Sequence, residues 1–319
     1  MKIVFLGTPD FAVPSLEAII GSRHGLLLVV TQPDRPKGRE GRPQPPPVKL
    51  VAQAHNLPVY QPESVNAEES VARLSELQPD VLVVAAFGQI LRKRVIEIPK
   101  IACINVHASL LPKYRGAAPV PAAILNGERV TGVTIQRMVR KLDAGDIIRQ
   151  ESTPIGDAET AGELTDRLAR LGAKALIEAL NDLACGKARF TPQDDSLATL
   201  APMLSKADGL IHWSQPAEQI ARHIRAMQPW PGAYTFLPRD REPLRLTIKR
   251  AAAGPEAGST EQPGEPGEIV SIGRDAFSVK TGCGCLAIHE LQPAGKKQMS
   301  AAEFARGYRL RTGDRLAEG

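Results

Sequence analysis

Residues 65–87 read VNAEESVARLSELQPDVLVVAAF, an amphipathic stretch at helical spacing that leads straight into the apolar run DVLVVAAF. That run has no alternation and is far too short to cross a membrane, which marks a strand covered on both faces. The unit recurs on either side. KIVFLG (2–7) precedes a helical pattern, DFAVPSLEAII (10–20), and LLLVVT (26–31) precedes a Pro-rich loop and PVKLVAQAHN (47–56). ACINVH (102–107) then leads into APVPAAILNG (118–127). Buried strands separated by helices predict an α/β, doubly wound, Rossmann-like domain with a mostly parallel sheet, whose site lies at the carboxyl ends of the strands. The helical pattern TAGELTDRLARLGAKALIEALNDLA (160–184) closes that domain.

The stretch CGKARFTPQDDSLATLAPML (185–204) has turn residues and little periodicity, so it reads as a linker. From Lys206 on, one helical stretch (216–227) is followed by short runs such as LRLTIKRA, GEIVSIG, AFSVKTG and CLAIHEL, separated by Gly-rich turns. This predicts a smaller antiparallel β-barrel. The expected division is 1–189, a linker over 190–205, and 206–319.

The 319 residues are 43% hydrophobic and 24% charged, with no apolar run near the roughly 20 residues of a membrane helix. No targeting segment is evident, and the cysteines at 103, 185, 283 and 285 match neither a disulfide framework nor a zinc motif. A cytoplasmic protein without metal is expected. The net charge of +5 is concentrated: residues 34–49 carry five Lys/Arg against Asp34 and Glu40, and residues 296–315 carry six against Glu303 and Asp314. Such patches suit an anionic partner.

The first turn, GTPDF, lacks the G-x-G-x-x-G of a dinucleotide site, and no P-loop, G-x-S-x-G or H-E-x-x-H motif occurs. What remains is INVHASLLPKYRG (104–116). On a strand, Asn105 and His107 project from one face, at the rim where such sheets bind ligands. An amide donor beside an imidazole suits stabilisation of an oxyanion and movement of a proton, as acyl transfer requires. The competing reading is a hydrogen-bonded strand-end histidine. A carboxylate to orient His107 is offered by LDAGD (142–146), where the residues alone do not choose between Asp143 and Asp146.

GTPDFA (7–12), TQPDRPKGR (31–39), INVHASLLPKYRGAAP (104–119), LDAGD (142–146), QPWPGAY (228–234) and LQPAGKKQMSAAEFARGYRL (291–310) resemble the folate-dependent formyltransferases, and among them the methionyl-tRNA formyltransferase family. The resemblance runs from the first strand to the last helix. It implies transfer of a formyl group from 10-formyltetrahydrofolate to the amine of initiator methionyl-tRNA, and a C-terminal OB-like, tRNA-binding domain. It implies a catalytic group of Asn105, His107 and Asp143. Folate binding falls to Ser109, Leu110, Leu111 and Pro112, with a pterin pocket near Phe87, Gly88, Ile90, Leu91, Val139 and Leu142. tRNA contacts are expected at Lys37, Arg39, Arg42, Lys206, Lys296 and Lys297. No membrane and no obligate protein partner are expected. Lys141, Glu40 and His212 depart from the family pattern. Two rivals stand beside this reading: a formyltransferase acting on an amino-sugar nucleotide, which shares the Asn/His/Asp chemistry, and a non-catalytic RNA-binding protein.

Overall fold

The apolar runs pair with one another because each has a face to bury on either side. In the computed structural model, which describes residues 1–36, 41, 43–239, 242–254 and 264–318, seven strands form one sheet. They are β1 (Lys2–Gly7), β2 (Gly25–Val30), β3 (Val59–Tyr60), β4 (Val81–Ala85), β5 (Ala102–His107), β6 (Val130–Arg137) and β7 (Ile147–Pro154). Their spatial order is β7-β6-β5-β4-β1-β2-β3. The first five in the chain are parallel, whereas β6 and β7 form an antiparallel edge.

Ile3, Val4, Phe5 and Leu6 are all fully buried, each worth roughly 1.5–3 kcal/mol relative to exposure. Alternate residues serve opposite faces. Val4, Leu6, Leu28, Val30, Leu82 and Val84 meet Leu74 of helix α3 (Glu68–Glu76) in one cluster, which also takes in Phe87, Leu91 and Cys103. Helix α3 has no side-chain N-cap, but Glu68 and Glu69 in its first turn complement the helix dipole. Helices α1 (Val13–Ile20) and α2 (Pro47–Ala54) carry proline in their first turn, where the missing N–H costs nothing. The long pattern expected at 160–184 is helix α4 (Ala161–Ala184).

The chain divides into two compact units, one of residues 1–119, 129–155 and 164–202, the other of 120–128, 156–163 and 203 onward. Residues 190–202, read from sequence as linker, thus belong to the first unit. Their hydrogen bonds run to residues far back in the chain, which no local pattern reveals.

The second unit holds β8 (Tyr234–Leu237), β9 (Leu244–Ala253), β10 (Ile269–Ile272), β11 (Phe277–Lys280), β12 (Cys285–Pro293) and β13 (Met299–Ser300). The order is β8-β9-β12-β11-β10, with β13 on β12 and every pairing antiparallel. Residues 314–317 bond to both edges: Ile269 N donates to Asp314 O (2.8 Å) and Leu316 N to Gly267 O (2.8 Å), while Phe236 N donates to Ala317 O (3.0 Å). One short segment therefore bridges the two edge strands of the curled sheet, and Ile211 N adds a bond to Tyr234 O on the β8 side (2.8 Å). Trp213 is buried there and donates Nε1 to Thr235 Oγ1 at 3.0 Å. His212 lies 2.8 Å by Nδ1 from Glu318 Oε2, so it has a carboxylate partner. No described helix is long and apolar enough to cross a membrane.

Burial in β5 pushes the Cys103 thiol up to about 12, and only the thiolate reacts readily. A thiol reagent at pH 8 is expected to label the exposed Cys185 and Cys283 in the native protein, and Cys103 only after denaturation. Mapping by mass spectrometry checks this; Cys103 labelled as fast as Cys185 would contradict the burial of β5.

Candidate active site

Strand β5 sets Asn105 opposite Gln136 and His107 opposite Thr134 of β6, and Thr134 in turn faces Gln150 of β7. Residues directly opposed across a ladder point to the same face. One face of this antiparallel edge is therefore a row of Asn, His, Gln and Thr, while Ile104, Val106, Val133 and Ile135 supply the other. His107, Gln136 and Thr134 are buried, and Asn105 is half-buried.

The His107 ring is fixed from one side. Its Nε2 lies 2.9 Å from the Tyr114 carbonyl oxygen, which can only accept, so Nε2 carries hydrogen. Nδ1 is left facing Asp143, whose Oδ2 is 3.7 Å away, beyond hydrogen-bond range.

Asp143 sits in the left-handed region at φ 47°. Its Oδ1 accepts from Gln136 Nε2 (2.8 Å) and its Oδ2 from Gly116 N (2.9 Å). Because β6 runs antiparallel, the loop 138–146 reaches the site by folding back across the polar face. Gly145 makes the fold possible, since a Cβ there would fall 1.7 Å from the Arg137 carbonyl oxygen. Gly116 has the same constraint at the other wall: at φ 121°, a Cβ would lie 2.6 Å from the Ala201 carbonyl oxygen. Asp146 lends its carbonyl to Arg137 N (2.8 Å) at the base of the loop. Lys141 of the same loop pairs with Asp195.

The Ser109–Pro112 turn is bound through Thr134. Thr134 Oγ1 donates to Ser109 O (2.6 Å) and accepts from Leu111 N (3.1 Å) and Gln150 Nε2 (3.0 Å). Gln150 Nε2 also reaches Leu111 O (2.9 Å), and Ser109 Oγ donates to Lys113 O (2.6 Å). Leu111–Pro112 is a cis peptide, and Leu110 and Pro112 are half-buried.

Of the residues expected at the pterin pocket, Phe87 and Leu91 direct their side chains into the hydrophobic core, where Met138 packs against the same cluster. The Phe87 carbonyl accepts from Thr8 Oγ1 (2.7 Å), and Gly88 turns at φ 89°. Ile90, Val139 and Leu142 are exposed, so they are the apolar side chains these two segments present outward.

Lys37, Arg39, Glu40 and Arg42 lie outside the described residues. Their neighbours form a short antiparallel ladder, Arg35–Pro36 with Pro43–Gln44. Arg35 pairs with Glu63 (2.7 Å) and Lys49 with Asp34 (2.8 Å). Hydrogen bonds from Gln61 and Lys49 hold the Asp34 carboxyl below its ordinary value. Two of the segment's five cations, Arg35 and Lys49, are thereby matched. Lys206, Lys296 and Lys297 are exposed on the second unit and join no ion pair among the described residues.

The sequence pattern does not single out Gln136, Thr134, Gln150 or Gln193. The first two carry a signal, since TGVTIQR alternates polar with β-branched residues, so that Thr134 and Gln136 share a face. Gln193 carries none.

Residues 1–180 match the model of the formyl transferase family, and residues 203–309 match that of the formyl transferase C-terminal domain. The methionyl-tRNA formyltransferase of Citrifermentans bemidjiense is 49% identical over 318 residues, which cover 100% of this chain and 97% of the relative. Among solved structures, WlaRD, a sugar 3N-formyl transferase, superposes with a TM-score of 0.65 at 20% identity, over 93% of this chain and 99% of that one. HypX from Aquifex aeolicus, in complex with tetrahydrofolic acid, gives 0.64 at 19%, over 96% of this chain and 48% of that one. Both structural likenesses speak to the fold alone.

Thr134→Val keeps the shape but strips a buried hub of its hydroxyl. It is expected to destabilise the protein by about 1–3 kcal/mol in urea denaturation, because Leu111 N–H and Ser109 C=O lose a partner. A loss within a few tenths of a kcal/mol would remove Thr134 as the anchor of that turn.

Proposed function

The chain belongs to the formyl transferase family, and from that premise we propose that it transfers the formyl group of 10-formyltetrahydrofolate to the α-amine of methionine on initiator methionyl-tRNA. The observation that carries this reading is the meeting of Asn105, His107 and Asp143 on one sheet face, against the anchored Ser109–Pro112 turn. Incubation with 10-formyltetrahydrofolate and either charged initiator tRNA or an amino-sugar nucleotide tests it. Formylation of the sugar and not of the tRNA would replace the reading, and binding of RNA without transfer to either would end it.

The methionyl nitrogen attacks the formyl carbon, and a tetrahedral oxyanion forms. Collapse breaks the bond from that carbon to the folate nitrogen, which takes the proton the amine gives up, so formylmethionyl-tRNA and tetrahydrofolate leave. Asn105 offers its amide N–H₂ to the oxyanion. His107 acts through Nδ1, because Nε2 is occupied by Tyr114. Asp143 Oδ2, 3.7 Å from Nδ1, receives or relays the proton. Each preorganised donor is worth on the order of 10²–10³ in rate. The folate occupies Ser109–Pro112, with its ring system against the outward side chains of Ile90, Val139 and Leu142 and the turn at Gly88.

In this reading the first unit, which takes in residues 190–202, carries the chemistry, and 206–319 bind tRNA with Lys206, Lys296 and Lys297 as phosphate contacts. The reaction belongs to the cytoplasm, where translation begins.

Asn105→Ala and His107→Ala are expected to lower kcat by roughly 10²–10⁴ with tRNA affinity near wild type. Asp143→Asn should be severe and Asp146→Asn mild. Steady-state kinetics on folded variants decide, and a His107→Ala enzyme turning over normally would end the assignment.

The cations that the sequence places in the loop 34–49 lead to a further expectation. Arg39→Ala should weaken kcat/KM for charged tRNA by about 1–3 kcal/mol, the scale of one directed contact. Lys37→Ala and Arg42→Ala should cost less and flatten the salt dependence. A salt series of kcat/KM measures both; an Arg39→Ala rate and slope equal to wild type would leave the loop as surface.

A further inference from the structure

Residues 190–202 are tied at two places to the walls of the site. Thr191 exchanges backbone hydrogen bonds with Ile147 at the start of β7 (2.8 and 2.9 Å). Leu200–Ala201 pairs in parallel with Arg115–Gly116, and Thr199 takes up Arg115 N through its carbonyl (2.8 Å) and Tyr114 N through Oγ1 (2.8 Å). Tyr114 is the residue whose carbonyl holds His107. Between the two ties, Gln193 lies against the loop that bears Asp143.

The Gln193 amide is used in full. Nε2 donates to Asp143 O (2.9 Å) and to Gly145 O (2.7 Å), with Gln136 Oε1 at 3.4 Å. Oε1 accepts from Arg115 Nε (3.1 Å) and Nη2 (2.8 Å). Arg115 is only 4% exposed, and its charge is met by Asp195 Oδ1 at 2.8 Å, the same aspartate that pairs with Lys141 on the Asp143 loop. The carbonyls of Asp143 and Gly145 lie between the strand bonds at the two ends of their loop (Met138 N to Cys103 O and Arg137 N to Asp146 O), and Gln193 supplies their donor. It does so at the residue whose left-handed backbone aims a carboxylate at His107.

We infer that Gln193 is a positioning residue for formyl transfer, holding the Asp143 main chain so that the carboxylate keeps its place beside His107 Nδ1. This rests on the formyl-transfer reading, and it makes the segment after helix α4 part of the machinery of the site. The three bonds to Asp143 have separate roles, since Gly116 N and Gln136 Nε2 fix its carboxylate and Gln193 fixes its carbonyl.

The test uses the full-length protein with Gln193→Ala, Gln193→Glu and the near-isosteric Gln193→Met. All three lose the two donated bonds, and Gln193→Glu also turns an oxygen toward two carbonyls while keeping an acceptor for Arg115. The expected result is a fall in kcat of roughly 10- to 100-fold, the cost of a small misplacement of a reacting group, and largest for Gln193→Glu. KM for 10-formyltetrahydrofolate and for charged tRNA should stay within about 2-fold, and the melting temperature should stay near wild type for Gln193→Met. The His107 ring resonances of the free protein should move in every variant, which reports the geometry without any turnover. Unchanged kcat, a loss confined to KM, a fall in kcat only in step with the melting temperature, or unmoved His107 resonances would each overturn the inference. Wild-type protein that fails to formylate charged tRNA would instead overturn the functional reading, and the resonances would still test Gln193.

Discussion

The hydrogen-bonded ladder between β5 and β6 places Asn105 against Gln136 and His107 against Thr134. Because strand side chains alternate, a slip of one residue would turn this polar row toward the side now filled by Ile104, Val106, Val133 and Ile135. Burial of those apolar residues therefore fixes which face the chemistry occupies. Every later contact presumes that register: Gln136 can hold Asp143 and Thr134 can hold the Ser109–Leu111 turn only while they stand beside Asn105 and His107. The site is a consequence of strand pairing before it is a set of loops.

The parts of this arrangement that repeat along the chain were legible in the sequence. Apolar runs gave β1, β2, β4 and β5, the helical period gave α4, and the two-residue period put Asn105 and His107 together. Asp143 could not be separated from Asp146 by its residue type, since what distinguishes it is a backbone at φ 47° and donors drawn from Gln136 and Gly116. The antiparallel direction of β6 left no mark on composition, and neither did the attachment of 190–202. A bond such as Gln193 to Asp143 joins residues 50 apart with no intervening period, so only the folded chain reveals it. Charge counting within a segment was also too simple: Arg35 adds to the formal surplus of 34–49 but is matched by Glu63, which lies outside it.

Two means of fixing loops recur in the first unit. Glycines at 116 and 145 allow main chain to approach main chain where any side chain would collide. Side-chain amides and hydroxyls (Gln150, Gln193, Thr134) then satisfy the carbonyls and N–H groups such loops leave without a ladder. A buried site built from irregular backbone needs both, because each unpaired main-chain group would otherwise cost about as much as a lost hydrogen bond.

The closure of the second unit by residues 314–317 bears on the order in which the protein is made. The first unit has all of its segments once residue 202 has been synthesised, so its sheet and the strap across the Asp143 loop can assemble during translation. The barrel cannot be finished so early: Phe236 of β8 and Ile269 of β10 lack their partners in the native structure, Ala317 and Asp314, until those residues emerge. For that interval each of these two strands keeps part of one edge unpaired, while Ile211, made earlier, can already bond to Tyr234 of β8.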